Sequence, residues 1–249
     1  MKTKSASTGL AKQKWTRGIV KMVKIVVYAV LIYVVIYRVV ERTVAYDPFD
    51  IPSAAMMPTL LVGDVFFVSK FSYGYSRYSL PFGLPLFSGR IFFHPPERGD
   101  VVVFRSPTDN STDWIKRLIG LPGDHIQMKN GILYINNQPC PRGRIEDYLY
   151  REGSGAIIPL PQYVETLPNG RQHLIIKLGD NGPLDNTPVY DVPPGDYFML
   201  GDNRDNSADS RTRLVGYVPA ENLIGRAEFI FFSTDGSAIR SSRLFRGVN

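Results

Sequence analysis

With 249 residues, 44% of them hydrophobic, the chain is long enough to bury one large core or two small ones. Its formal charge of +6 belongs to the N-terminus: residues 1–42 hold nine Lys/Arg against the acid Glu41, leaving 20 basic and 22 acidic residues in 43–249. A nucleic-acid binder carries its basic excess on the folded body, so the charge argues against that class, and the lone Cys140 excludes an intramolecular disulfide and a thiolate metal cluster.

The first element in chain order is apolar. Ile25–Tyr37 reads IVVYAVLIYVVIY without a charge, and the run extends to Ile19–Val40 with Lys21, Lys24 and Arg38 inside it. A membrane span needs about 20 apolar residues, and flanking lysines can reach the headgroups. The uncharged core is long for a strand. The following VVERTVAYDPFD lacks the small-x-small exit of a cleavable signal peptide. The pattern predicts an uncleaved signal-anchor helix over 18–40, with the basic tail 1–17 in the cytoplasm and the chain after about residue 42 on the far side.

Beyond residue 45 helix-favouring runs are scarce. Asp64–Lys70, Asp100–Phe104, Ile132–Ile135, Tyr197–Leu200 and Arg226–Phe232 are apolar, β-branched or aromatic runs bounded by Gly, Pro or Asp. Their spacing leaves no room for intervening helices, which predicts a mainly β, antiparallel body. Residues 74–97, dense in Gly, Pro, Tyr and Phe, predict an extended loop or hairpin, either dipping into a membrane interface or packed on the body. Residues 136–195 carry nine prolines and no long periodic segment. They predict an inserted subdomain, 136–194, between the two parts of a β domain, 41–135 and 195–249.

Three boxes carry candidate chemistry: Ile51-Pro-Ser-Ala-Ala-Met-Met-Pro-Thr-Leu60, Trp114-Ile-Lys-Arg-Leu-Ile-Gly-Leu-Pro-Gly-Asp124 and Gly201-Asp-Asn-Arg-Asp-Asn-Ser-Ala-Asp-Ser-Arg211. The acidic spacing of the third fails as a calcium loop. Counted from Asp202, an EF-hand needs Asp or Asn at 204, glycine at 207 and glutamate at 213, where the chain has Arg204, Ser207 and Arg213. His94, His125 and His173 fall in neither a Gly-x-Ser-x-Gly nor a His-Glu-x-x-His context, so no metal site is proposed. Taken singly, Lys116 is a solvated charge and the Asp/Asn run ordinary turn composition.

Taken together, in this order and behind the apolar segment, the boxes resemble the bacterial type I signal peptidases. The family pattern Pro-Ser-x-Ser-Met-x-Pro-Thr-Leu reads here Pro52-Ser53-Ala54-Ala55-Met56-Met57-Pro58-Thr59-Leu60, and Arg98-Gly-Asp-Val-Val-Val-Phe104 matches a further box. The resemblance covers about 45–135 and 195–235, plus the anchor. It implies an antiparallel coiled sheet or partly closed barrel of the Ser/Lys peptidase type with one N-terminal transmembrane helix. The implied activity is removal of signal peptides from exported preproteins by cleavage after small-x-small motifs. The implied place is the bacterial cytoplasmic membrane, with the body on its periplasmic or outer face. Signal peptides, membrane lipid and the export machinery are the implied partners; no nucleic acid and no cofactor is implied.

The resemblance also assigns roles. Lys116 becomes the general base: a free lysine near ~10.4 is protonated, and burial lowers that value until the neutral amine can take a serine proton. Ser207 orients the amine, and the Ser53 hydroxyl with the backbone N–H of residue 55 forms the oxyanion site. Arg117 is expected to pair with an acid such as Asp202 or Asp209, while Asp209 and Arg211 hold the loop. Phe49, Ile51, Pro52, Met56, Leu60, Trp114 and Ile115 would line small apolar pockets.

The departure is at the nucleophile, which is Ala55. A methyl group can neither attack a carbonyl nor pass a proton. If the segment is extended, Ser53 faces the same side about 6.5–7 Å away at ~3.3 Å per residue, too far to attack in its place. Binding should survive and turnover should be lost. A deliberate Ser→Ala change and a natural pseudo-peptidase both fit, and the retention of the other catalytic-box residues favours the deliberate change.

Overall fold

The computed structural model describes residues 20–35, 37, 46–80, 86–151 and 155–248, and the chain divides into two compact units, Met1–Val44 and Ala45–Asn249. In the first unit residues 20–35 are helical with exposed side chains, and Tyr33 stacks on Tyr37 at 6.3 Å. Among the described residues no helix is long and apolar enough to cross a membrane. The expected span 18–40 lies partly outside the described residues, and the expected tail 1–17 wholly so.

The second unit is built on a seven-stranded antiparallel sheet. Its order is Tyr46–Asp50, Asp64–Ser69, Leu223–Ser233, Val101–Arg105, Asp113–Gly120, Asp196–Leu200 and Val218–Pro219. The run Val101–Phe104 is central and buried on both faces, which is why it reads as unbroken hydrophobic sequence rather than alternation. No pairing among the described residues joins the first strand to the last, so this sheet is open rather than closed into a barrel. Register shifts along Leu223–Ser233 bend that strand, as bulges do. It begins three residues earlier than the apolar run because Leu223 pairs with Phe104 and Gly225 with Val103, contacts with no local sequence signal.

The sheet separates two clusters. Ile51, Met56, Leu60, Phe66, Val101, Val103 and Ile230 form one; Val102, Phe104, Leu118, Met199, Val218 and Leu223 form another. Each fully buried Leu, Ile or Phe contributes about 1.5–3 kcal/mol. A third cluster, around Ile126, Leu133, Leu167 and Phe198, joins the middle segment to the sheet.

Just before the middle segment, His125–Lys129 and the expected strand Ile132–Ile135 form a hairpin around Asn130-Gly131, both at positive φ (49° and 71°), the conformation that an Asn-Gly turn supplies. The middle segment itself holds more strand than its sequence signals. Arg142–Arg144, Gln162–Thr166 and Gln172–Ile176 make a three-stranded sheet, and Tyr148–Arg151 pairs with Ile157–Leu160. In 74–97, Tyr75–Ser76 pairs with Arg90–Ile91, and Arg90 fastens this hairpin by donating to the carbonyls of Tyr73, Gly74 and Ala220.

Candidate active site

Ser53 is extended (φ −133°, ψ 158°), and the chain then tightens into a 3-10 turn, Ala54–Met56. The segment is therefore not extended through residue 55, and the same-side spacing drawn for an extended chain does not apply. The cause is hydrogen bonding that local sequence does not announce. The N–H of Met57 donates to the Ala54 carbonyl at 3.2 Å and that of Leu60 to Met56 at 2.9 Å. Asn203 grips the turn from the third box, its N–H donating to the Ala55 carbonyl at 3.0 Å and its side-chain amide to the Ala54 carbonyl at 3.1 Å. Ser53 stays exposed and makes no capping bond with its hydroxyl, whereas Ala55 is only 7% exposed. The two positions occupy different surroundings.

Lys116 lies in the middle of Asp113–Gly120. Strand alternation puts Trp114, Lys116 and Leu118 on one face and Ile115, Arg117 and Ile119 on the other. The side chain is 2% exposed; its Nζ donates to the Ile115 carbonyl at 2.9 Å and lies 5.2 Å from the centre of the Trp114 ring. Burial pushes the amine down from 10.5 to about 8, against the opposing pull of Asp209 and then Asp202. A neutral, proton-accepting amine is therefore accessible at mildly alkaline pH. The Ser207 hydroxyl is buried without a hydrogen-bond partner among the described residues.

Ser207 and Ala55 converge on Gly201. A β-carbon there would fall 2.2 Å from the Ser207 Oγ and 2.7 Å from the Ala55 carbonyl oxygen, so only glycine lets the loop and the turn approach this closely. The Ala54–Met56 turn packs against the strand that carries Lys116. The strand of Lys116 and the loop of Ser207 thus both meet the turn that carries position 55.

Comparison with known proteins bears on this assembly. Residues 19–232 match the family described as Signal peptidase, peptidase S26. The chain is 47% identical to a signal peptidase I of Rickettsia typhi over 215 residues, covering 83% of this chain and 80% of that protein. It is 46% identical to a signal peptidase I of Rickettsia massiliae over 240 residues, covering 93% and 84%. A crystal structure of a signal peptidase I from Enterococcus faecalis is 30% identical, covers 53% of this chain and 97% of that one, and superposes with a TM-score of 0.31. The chain belongs to the signal peptidase S26 family.

Around this family's site the charged residues are buried in pairs. Arg117, 2% exposed, binds Asp202 through two contacts, Nε–Oδ1 at 2.8 Å and Nη2–Oδ2 at 2.7 Å, and donates to the Gly99 carbonyl at 2.7 Å. Thr59 adds a hydroxyl bond to Asp202, so one carboxylate ties all three boxes together. Arg211 pairs with Asp209 by two 2.8 Å contacts, and Asp209 accepts the Gly201 N–H at 3.1 Å.

The residues expected in the pockets divide by burial. Ile51, Met56 and Leu60 are 2%, 1% and 0% exposed and sit in the core cluster, with Phe49 and Ile115 half-buried against it. Pro52 is exposed, and Trp114 is half-buried against the other cluster. Only four of the seven, Phe49, Pro52, Trp114 and Ile115, keep exposed surface; the other three are core residues. Thr59, Gly201 and Asn203 lie inside the recognised boxes, yet their contacts across the fold, not their types, give them their part. Among the described residues no group of three or more His, Cys, Asp and Glu is placed to hold a metal ion. A cavity of about 430 Å³ opens beside Arg117, walled by Asp100, Arg171, His173, Arg226 and Glu228; Ala55 and Lys116 do not line it.

Proposed function

We propose that this chain is a membrane-bound signal peptidase I in every respect but its nucleophile: it binds the signal peptides of exported preproteins and does not cut them. The carrying observation is a buried lysine, its amine pushed down to about 8 and bonded among the described residues to a carbonyl, on a strand packed against the turn that carries a methyl group at position 55. In the complete reaction a hydroxyl at 55 attacks the scissile carbonyl while Lys116 takes its proton. The oxyanion is then held by the N–H of residue 55 and the free Ser53 hydroxyl. Ser207 orients the amine, and the Arg117–Asp202 and Arg211–Asp209 pairs hold the loop. Alanine leaves all of this except the attacking atom. Phe49, Pro52, Trp114 and Ile115 bound the small pockets that favour alanine-sized residues before the cut. The apolar N-terminal segment keeps the site near the bilayer where signal peptides emerge, with residues 136–194 as an inserted subdomain on the far side.

The test is Ala55→Ser, assayed on a preprotein. Cleavage after a small-x-small motif is the expected gain, and adding Lys116→Met should abolish it. A revertant that binds preprotein but never cleaves it would favour the second reading, a natural pseudo-peptidase whose role is binding alone. The codon at position 55 of the natural gene separates a deliberate change from a natural one.

A further inference from the structure

The middle segment delivers two buried charges to the loop that grips position 55. Arg204, 1% exposed, binds the fully buried Glu165 through both terminal guanidinium nitrogens, with Nη1–Oε1 at 3.0 Å. The next residue, Asp205, is held by Lys177, whose Nζ donates to its Oδ1 at 3.1 Å and also to Asp185. Asp205 further accepts the Leu178 N–H at 2.7 Å. The backbone is joined as well. Ile176 donates to the Asp202 carbonyl at 2.9 Å and accepts the Arg204 N–H at 3.0 Å, so the strand Gln172–Ile176 ends as a parallel bridge to Asn203. Asn203 is the residue that holds the Ala54 and Ala55 carbonyls, and Asp202 is the partner of Arg117, next to Lys116.

A continuous path of hydrogen bonds therefore runs from Glu165 and Lys177 through residues 202–205 to the turn at 55 and the strand at 116. An ion pair as deeply buried as Arg204–Glu165, and a lysine as deeply buried as Lys177, are costly in desolvation and are not needed to fill a core. Here both fix the same four-residue stretch. We infer that Glu165 and Lys177 are positioning residues of the site, and that residues 136–194 serve as the rear wall of the catalytic loop.

If that wall loosens, water reaches Lys116 while Asp202 and Asp209 still face it, and its titration must move toward that of a free lysine. Selectively ¹³C-lysine-labelled chain, with the Lys116 resonance assigned by Lys116→Met, reads this without turnover. The titration is expected to rise by about one pH unit in Glu165→Gln, and likewise in the milder Asp205→Asn, which retains the backbone contact from Leu178. Leu167→Ala, a core truncation elsewhere in the middle segment, serves as the control: it should lower the melting temperature and leave the resonance in place. The kinetic arm rests on the proposed function. In the Ala55→Ser background, Glu165→Gln should lower kcat by about tenfold, with KM changed less than about twofold. If both variants lose stability while Lys116 titrates as it does in Leu167→Ala, the inference is overturned and the ion pairs serve stability alone. If the revertant never cleaves, the functional reading fails, and the resonance still decides the present one.

Discussion

Lys116, on the central sheet, and Lys177, just past the strand Gln172–Ile176 of the middle segment, are both withdrawn from water, with 2% and 1% exposure. Their partners differ. Lys177 donates to the carboxylates of Asp185 and Asp205, so its charge is balanced where it lies. Lys116 meets the neutral Ile115 carbonyl, an indole face and, at longer range, two acids already committed to arginines. The same residue type at the same depth is a strut in one place and a candidate base in the other. Burial alone does not decide which; the distribution of carboxylates does.

Turnover should separate the two lysines most widely. In the Ala55→Ser chain, Lys116→Met is expected to lower kcat for a preprotein substrate by about 10⁴-fold or more, the scale seen when one member of a catalytic pair is removed. Lys177→Met should cost about tenfold, because it acts through the loop. Equal losses in single-turnover assays would erase the distinction between base and strut.

Stability should separate them in sign. Lys177→Met leaves Asp185 buried beside an apolar side chain, and breaking a buried pair from one side costs about 3–5 kcal/mol. Lys116→Met removes a charge the fold holds at a penalty. The displacement from 10.5 to about 8 corresponds to about 3 kcal/mol at neutral pH, so this variant should melt higher than its parent. Urea unfolding of the two variants at pH 7 checks the contrast, and destabilisation by both would show that Lys116 is compensated after all.

The sequence makes the first of these lysines legible and hides the second. Lys116 stands in a box whose neighbours identify it, and the runs around Val101–Phe104 and Asp64–Ser69 gave their strands to within a residue. The antiparallel class followed from spacing too tight for helices. Lys177 and Glu165 stand in a segment with no periodic pattern, and their meaning comes from partners 28 and 39 residues away. Strands such as Tyr148–Arg151, half exposed along their length, lack the apolar alternation that would announce them. The turn at Ala54–Met56 was hidden for the same reason, since Asn203, which grips its carbonyls, lies far along the chain.

The pH dependence of stability sharpens the comparison further. Between about pH 8 and 10.5 the unfolded chain keeps a proton on Lys116 that the folded chain has released, so unfolding takes up a proton. Stability carried by this residue therefore rises with pH through that window, and its penalty is fully present below it. Subtracting the curve of Lys116→Met from that of the parent isolates the effect from the tyrosines, such as Tyr73, whose raised values act in the opposite direction at high pH. A flat difference curve from pH 7 to 10.5 would contradict a depressed amine at this site.

The smallest effect expected comes from an ion pair that is not buried. Arg144 contacts Asp147 three residues on, with side chains 44% and 36% exposed. Both ions keep much of their hydration, and salt screens what attraction remains. Arg144→Ala should change unfolding stability by less than about 0.5 kcal/mol in 0.15 M salt, although the pair lies in the same middle segment as Lys177. A loss there as large as that of Lys177→Met would mean that the segment responds as a whole to any charge removed from it, and the special standing of Glu165 and Lys177 behind the loop would disappear.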